Sequence, residues 1–182
     1  MAAEEYGNDA ALLADVLRVY KPNCRYLRSA GMVVRGQPGE PGGGLTVRGT
    51  FHVPESCYID DTGHFNAVEF VICFNQIGYL MLAKSVKERA LRALDGWTMD
   101  DYWARQLGDM FIVDMHSAYR RAIRGRSFWG ELDVTDVVER DGGNGPLLIL
   151  STRIRFGESE PIACHGRVRI AVRIPPRPGA PS

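Results

Sequence analysis

From Phe65 to Ala83 the chain is apolar on nearly every face that a helix can present. Phe65, Val68, Phe70, Val71, Ile72, Phe74, Ile77, Leu80, Met81 and Leu82 cover most of the circumference when wound at 3.6 residues per turn. A surface helix carries one apolar stripe, whereas a helix that is greasy all round has to be buried all round. The remainder of the chain must therefore wrap a central rod, with the helix beginning near Phe65 or Asn66. Glu69, Asn75 and Gln76 interrupt the run and keep it short of a confident membrane span. Its continuation from Lys84 to Arg92 turns charged and is expected to emerge into solvent.

The flanks supply the wrapping. Asp9 is placed to cap a first helix bearing Leu12, Leu13, Val16, Leu17 and Tyr20, which stops before Pro22. A Gly- and Pro-rich loop runs from Gly36 to Gly44, and Leu45 to Val53 reads as a strand closed by Pro54. Thr98 followed by Asp101 marks the cap of a short helix holding Tyr102 and Trp103. After Asp109 the period changes to two. Phe111, Val113 and Met115 alternate with polar residues, and Phe128 to Val138 and Pro146 to Phe156 are joined by the turn Asp141-Gly142-Gly143-Asn144-Gly145. Val168, Ile170 and Val172 then alternate with Arg167, Arg169 and Arg173. The order is helix, strand, buried helix, short helix, then a meander of about four strands. An antiparallel sheet curled around one buried helix, the α+β hot-dog fold, satisfies every element. We expect one domain over residues 1–174, with a disordered Pro-rich tail at 175–182.

Composition narrows the partners. The 182 residues include 22 basic and 22 acidic side chains, so there is no broad field for nucleic acid or an anionic membrane. One local basic group stands out: Arg120, Arg121, Arg124 and Arg126. It suits the phosphates of coenzyme A or the acidic surface of a carrier protein, and equally a solvated loop. Cys24, Cys57, Cys73 and Cys164 form no Cys-x-x-Cys pair, as expected of buried thiols in a reduced compartment. With no basic stretch leading an apolar run at the N-terminus, a cytoplasmic protein is expected. No Gly-rich phosphate loop, metal-spaced His/Cys set or Gly-x-Ser-x-Gly elbow occurs, so neither metal nor redox cofactor is expected.

The polar residues gather where the rod begins, in Tyr58-Ile59-Asp60-Asp61-Thr62-Gly63-His64-Phe65-Asn66. Free N–H groups at a helix N-terminus can stabilise an oxyanion, and Gly63 permits close backbone approach. A substrate carbonyl oxygen would sit over the amides of His64 to Ala67. His64 suits a general base, since imidazole titrates near neutrality, or it merely caps the helix. Glu69, one turn on, is a second base, an orienting group, or only the carboxylate that a first helical turn favours. Asp60 serves either chemistry or the turn. Tyr58, Asn66, Asn75, Tyr79 and Lys84 are further polar groups near the greasy helix. Asn75 and Tyr79, four apart, share a helical face, and Asn75 could instead satisfy a strand end. Lys84 is assigned to the solvated tail and left out of the site.

The segment Asp60-Asp61-Thr62-Gly63-His64-Phe65-Asn66 resembles the Asp-x-x-Gly-His-x-Asn turn before the central helix of hot-dog acyl-CoA thioesterases. A longer string is more specific: Pro54 to Tyr58, His64 to Phe70, Cys73 to Gln76 and Ala83 to Glu88. It is similar to the FcoT family of actinobacteria. That family includes long-chain fatty acyl-CoA thioesterases. It also includes dual-function enzymes of isonitrile-lipid and β-amino-acid pathways, which add glycine to the β-carbon of a (2E)-enoyl thioester and then hydrolyse it. The resemblance implies pocket roles for Tyr58, His64, Asn66 and Asn75, and for a tyrosine nearer the N-terminus that corresponds to Tyr26. Asp60 stands where some other hot-dog thioesterases keep a catalytic carboxylate.

Three functions follow as expectations. In the first, the chain adds glycine to an enoyl chain carried by carrier protein or coenzyme A and then releases the 3-(carboxymethylamino) fatty acid. In the second, it is a simple long-chain fatty acyl-CoA thioesterase. In the third, it binds acyl chains without turnover, against which stands the burial cost of so many polar groups at the rod's mouth. The fold implies a homodimer or a higher homo-oligomer, because one half-barrel leaves a sheet edge open.

Overall fold

The computed structural model describes residues 3–60, 63–124, 126–143, 145–158 and 161–175. The tail residues 176–182, Asp61 and Thr62 of the motif, and Asn144 of the hairpin turn lie outside the described residues.

One seven-stranded antiparallel sheet forms in the order β1-β2-β3-β5-β6-β7-β4. Its strands are β1 (Glu4–Tyr6), β2 (Leu27–Val34), β3 (Leu45–His52), β4 (Met110–Tyr119), β5 (Ser127–Gly142), β6 (Gly145–Gly157) and β7 (Cys164–Arg173). The helices are α1 (Ala10–Leu17), α2 (Ala67–Lys87) and α3 (Met99–Arg105). The sheet curls around α2, giving the expected hot-dog arrangement. Asp9 caps α1, its carboxylate accepting from Leu12 N at 3.0 Å. Thr98 and Asp101 form a capping box on α3. The rod begins one or two residues later than expected, at Ala67, because Asn66 is its cap. By length and composition alone α2 could cross a membrane, but 67% of its most apolar window is buried and it is the core helix.

Two strands of the sheet have no counterpart in the periodicity. β1 is three residues long, and β2 carries a bulge between Leu27 and Ser29 that breaks its alternation. β4 departs from expectation in another way. A register shift between Ile112 and Asp114 turns Phe111, Ile112 and Val113 outward, at 42%, 39% and 53% exposure. This strand is an open sheet edge. On α2 one stripe also escapes burial: Val68 is 42% exposed, and Ile72, Asn75 and Tyr79 are half-buried. These positions recur at helical spacing, on a flank that the sheet leaves uncovered.

The charged end of α2 does not emerge where the sequence suggested. Lys84 is 2% exposed and Ser85 is fully buried, and the chain reaches solvent only from Lys87. The Lys84 ammonium donates to Gly7 O at 2.5 Å, and Lys87 pairs with Asp9. The N-terminal segment thus lies across the helix end and covers it.

Candidate active site

The head of α2 is built by reciprocal capping. Asn66 Oδ1 accepts from Val68 N at 2.8 Å, while the Glu69 carboxylate accepts from Asn66 N at 3.1 Å. Two donors otherwise orphaned at a helix start are satisfied in this way. Phe65 N donates to Ile123 O at 2.9 Å, which ties the head to the segment after β4. The expectation that the amides of His64 to Ala67 all receive a substrate oxygen is therefore corrected. Those of Phe65 and Asn66 are engaged within the fold, whereas the exposed Ala67 N–H has no acceptor among the described residues.

Below this head lies an aromatic floor. Phe65 packs edge-on to Phe128 at 4.9 Å and tilted against Phe156 at 5.3 Å, and Phe70 meets Phe156 at 5.2 Å. Gly130 makes room for it, since a Cβ there would come within 2.7 Å of the Phe51 and Phe156 rings.

Above the floor opens a cleft of about 190 Å³. It is lined by Val53 to Ser56, by Gly63, His64, Phe65 and Glu69, and by Ile123, Arg124, Arg126 and Phe128. Gly63 adopts φ +72°, the left-handed region that favours glycine, and this turns the chain into the head of the helix. His64 is exposed and faces the cleft, while Glu69 is 2% exposed. One Glu69 oxygen accepts from the Ser56 hydroxyl at 2.6 Å and the other from Asn66 N–H. His64, a fixed carboxylate and two arginines thus line one opening. Such a set can move a proton and hold an anionic co-substrate.

The remaining expected site residues are distributed around this cleft. Tyr58 is 48% exposed, and its hydroxyl accepts from Asn66 Nδ2 at 2.5 Å, so the two flank the helix head together. Tyr26 is fully buried instead of lining the cleft. Its hydroxyl accepts from Cys57 N at 3.2 Å and donates to Glu55 O at 3.4 Å, and burial raises its pKa. It clamps the 55–57 strap that carries Ser56. Asp60 is exposed and outside the cleft lining. Asn75 and Tyr79 lie elsewhere, in a small cleft between α2 and β4 that also includes Phe111 and Ile112. The strand-end role considered for Asn75 belongs to its neighbour. Gln76, fully buried, accepts from Tyr26 N and Leu27 N, both at 2.9 Å, and donates to Cys24 O.

Sequence reasoning missed Ser56, although it stood inside the quoted string. It also read Arg124 and Arg126 only as a phosphate or carrier contact. The signal for the arginines was their place in the basic group, but nothing local showed that the chain after β4 folds back over the helix head.

The model of the FcoT-like thioesterase domain matches residues 15–172. A (2E)-enoyl-[ACP] glycyltransferase from Streptomyces coeruleorubidus is 41% identical over 92% of this chain and 99% of its own length. A second protein of that name, from Mycobacterium marinum, is 34% identical over 93% of this chain and 91% of its own. Among solved structures, a mutant thioesterase from Pseudomonas aeruginosa aligns with a TM-score of 0.46 at 11% identity, covering 91% of this chain and 94% of that one.

Proposed function

The chain belongs to the FcoT-like thioesterase family, and on that premise we propose that it adds glycine to the β-carbon of a (2E)-enoyl thioester and then hydrolyses the thioester. The observation that carries this reading is the meeting of His64, Glu69, Arg124 and Arg126 around one cleft at the head of α2. A plain hydrolase needs a base and an oxyanion donor. Paired guanidiniums beside them suit a second substrate that brings a carboxylate of its own, as glycine does.

Glycine's carboxylate rests against Arg124 and Arg126, and its ammonium faces His64. The imidazole takes one ammonium proton, and the freed nitrogen lone pair forms a bond to the β-carbon. The double-bond electrons move onto the thioester oxygen, which becomes an enolate. The Ala67 N–H at the helix start stabilises that oxygen. The His64 imidazolium then gives its proton to the α-carbon, which restores the base and closes the addition without any change of oxidation state. In the second reaction water adds to the same carbonyl, the oxyanion uses the same donor, and the thiol leaves. Glu69 keeps its orientation through Ser56 and Asn66 and holds a negative charge beside the imidazole as it becomes protonated. Tyr58 and Asn66 border the entrance for the thioester.

The acyl donor is a carrier-protein thioester, as the names of the relatives read. Two copies pair along β4, whose open edge and outward Phe111 and Ile112 adjoin Asn75 and Tyr79 of the bare α2 stripe. In that dimer Asn75 and Tyr79 belong to the interface. The four unpaired thiols suit a reducing cytoplasm.

Incubation with a (2E)-enoyl carrier-protein thioester, with and without glycine, followed by mass analysis, tests the reading. The expected product with glycine is the 3-(carboxymethylamino) acid. Release of only the unmodified enoic acid would reduce the function to hydrolysis.

A further inference from the structure

The sheet face turned away from α2 carries a cationic strip. β4, β7 and β6 are neighbours, and their register places His116, Arg167 and Arg153 in one cross-strand row. The next row sets His165 beside Arg155. Like charges directly opposite one another destabilise a sheet, yet Arg167 and Arg153 face each other with no carboxylate on either among the described residues. Asp133 is the acid opposite Arg153, but it is held by Arg155 at 2.6 Å and by the Thr46 hydroxyl at 2.8 Å. Arg169 is likewise committed, to Asp114. The strip continues past His165 to Arg120 and Arg121, which line one shallow depression with Pro161 and Ile162. In a chain of zero net formal charge, Arg120, Arg121, Arg153 and Arg167, none paired with a carboxylate among the described residues, need a reason.

Position supplies one. Arg121 and Arg124 are three residues apart, at most about 10 Å of extended chain. Arg121 belongs to the strip, and Arg124 lines the cleft at the head of α2. A macromolecule lying on the strip therefore sits beside the mouth of the site. Resting on the function proposed above, we propose that His116, Arg153, His165 and Arg167, with Arg120 and Arg121, form the docking surface for the acidic carrier protein, whose phosphopantetheine arm then reaches the cleft past Arg124. The partner is of opposite charge, and its arm joins it through a phosphodiester, which is itself an anion. Such rim cations act chiefly on the rate of encounter and are weakened by salt.

The test compares one enoyl chain on three carriers, using the wild type and the double variant Arg153→Glu, Arg167→Glu. Both arginines are exposed, so the fold should tolerate the change, and circular dichroism checks it. With the carrier-protein substrate, kcat/KM is expected to fall about tenfold or more. With the pantetheine and coenzyme A thioesters it should stay within about twofold of wild type. Wild-type turnover of the carrier substrate should also fall with added salt more steeply than the variant's. An unchanged rate on the carrier substrate overturns the proposal. So does an equal loss on the pantetheine thioester, which would mean damage to the site, or a loss on coenzyme A alone, which would make the strip a nucleotide contact. Should the wild type turn over none of the three, the assigned reaction fails while docking is still decided. Titration calorimetry with holo-carrier protein must then show binding to the wild type that weakens about tenfold in the variant, and equal or absent binding overturns it.

Discussion

Two ionisable residues of α2, Glu69 and Lys84, are each 2% exposed, and they lie at opposite ends of the same rod. Removing a charge from water is costly at either place unless hydrogen bonds compensate. The compensation differs. Glu69 receives a hydroxyl and a backbone N–H, one on each oxygen, and still borders a cleft with His64 and two arginines. Lys84 makes one bond, to the carbonyl of Gly7, and lines neither the cleft at the helix head nor the one beside β4. At one end burial holds a charge ready beside an opening, while at the other it fastens the N-terminal segment onto the helix. Burial of a charge therefore does not by itself mark a site. What distinguishes Glu69 is open space alongside it and further charged groups sharing that space.

The strongest attempt to break this comparison is the pair His64→Ala and Glu69→Gln, assayed on the enoyl thioester with glycine. His64→Ala should lower kcat by about a hundredfold or more, the usual weight of a proton-transfer group, and Glu69→Gln, which removes the charge that offsets the imidazolium, by a similar factor. Product analysis and circular dichroism together separate lost chemistry from lost fold. A Glu69→Gln enzyme within about threefold of wild type would return Glu69 to the class of mere caps. Ser56→Ala is the next step down. It removes a hydrogen bond to a charged acceptor, worth about 1.5–3 kcal/mol, so kcat/KM should fall by about ten- to a hundredfold. Ser56→Thr, which keeps the hydroxyl, should restore most of it. Failure of that rescue would show that packing around residue 56, rather than its hydroxyl, matters.

The sequence made the head of α2 legible for a physical reason. A helix apolar all round has to be buried all round, and its cap residues Asn66 and Glu69 sit three apart by local rules that need no tertiary information. The same reasoning located His64 and Gly63. It failed where long-range contacts decide. Gln76 was one more polar residue in a greasy run, and only the fold brings Tyr26 and Leu27, about fifty positions away, to its amide. Lys84 read as solvated because charged residues follow it, yet the segment that buries it comes from the far N-terminus. Asn75 and Tyr79 were placed correctly on one helical face, but periodicity says nothing about which neighbour that face meets. β2 was hidden by its bulge and by Gly31, a residue type depleted in strands.

Tyr26→Phe sharpens the comparison on the site side with a smaller effect. The hydroxyl bridges Cys57 N and Glu55 O, so its loss should leave a partner short and cost about 1 kcal/mol of stability in urea unfolding. The strap bearing Ser56 would loosen, and activity should fall by only a few-fold. A hundredfold loss with unchanged stability would instead give the phenol a direct part in the reaction.

Lys84→Met tests the other end and should change least. Turnover should stay within about twofold of wild type, since Lys84 takes no part in the cleft. Its signature lies in the pH dependence of stability. Burial lowers the Lys84 pKa below its usual 10.5, against the opposing pull of Glu88 and Asp9. Between the folded value and 10.5 the unfolded chain binds more protons than the folded one. Wild-type stability must therefore rise with pH across that window, and the cost of burying the charge is fully present below it. The phenols of Tyr20, Tyr26 and Tyr102, raised by burial, act the opposite way, withdrawing stability above pH 10. They are common to both proteins and cancel in the difference. Wild type minus variant should thus climb as pH passes from the lowered folded value to 10.5, and then level. A flat difference would mean that water still reaches the ammonium, and the supposed equality of burial at the two ends of α2 would be lost.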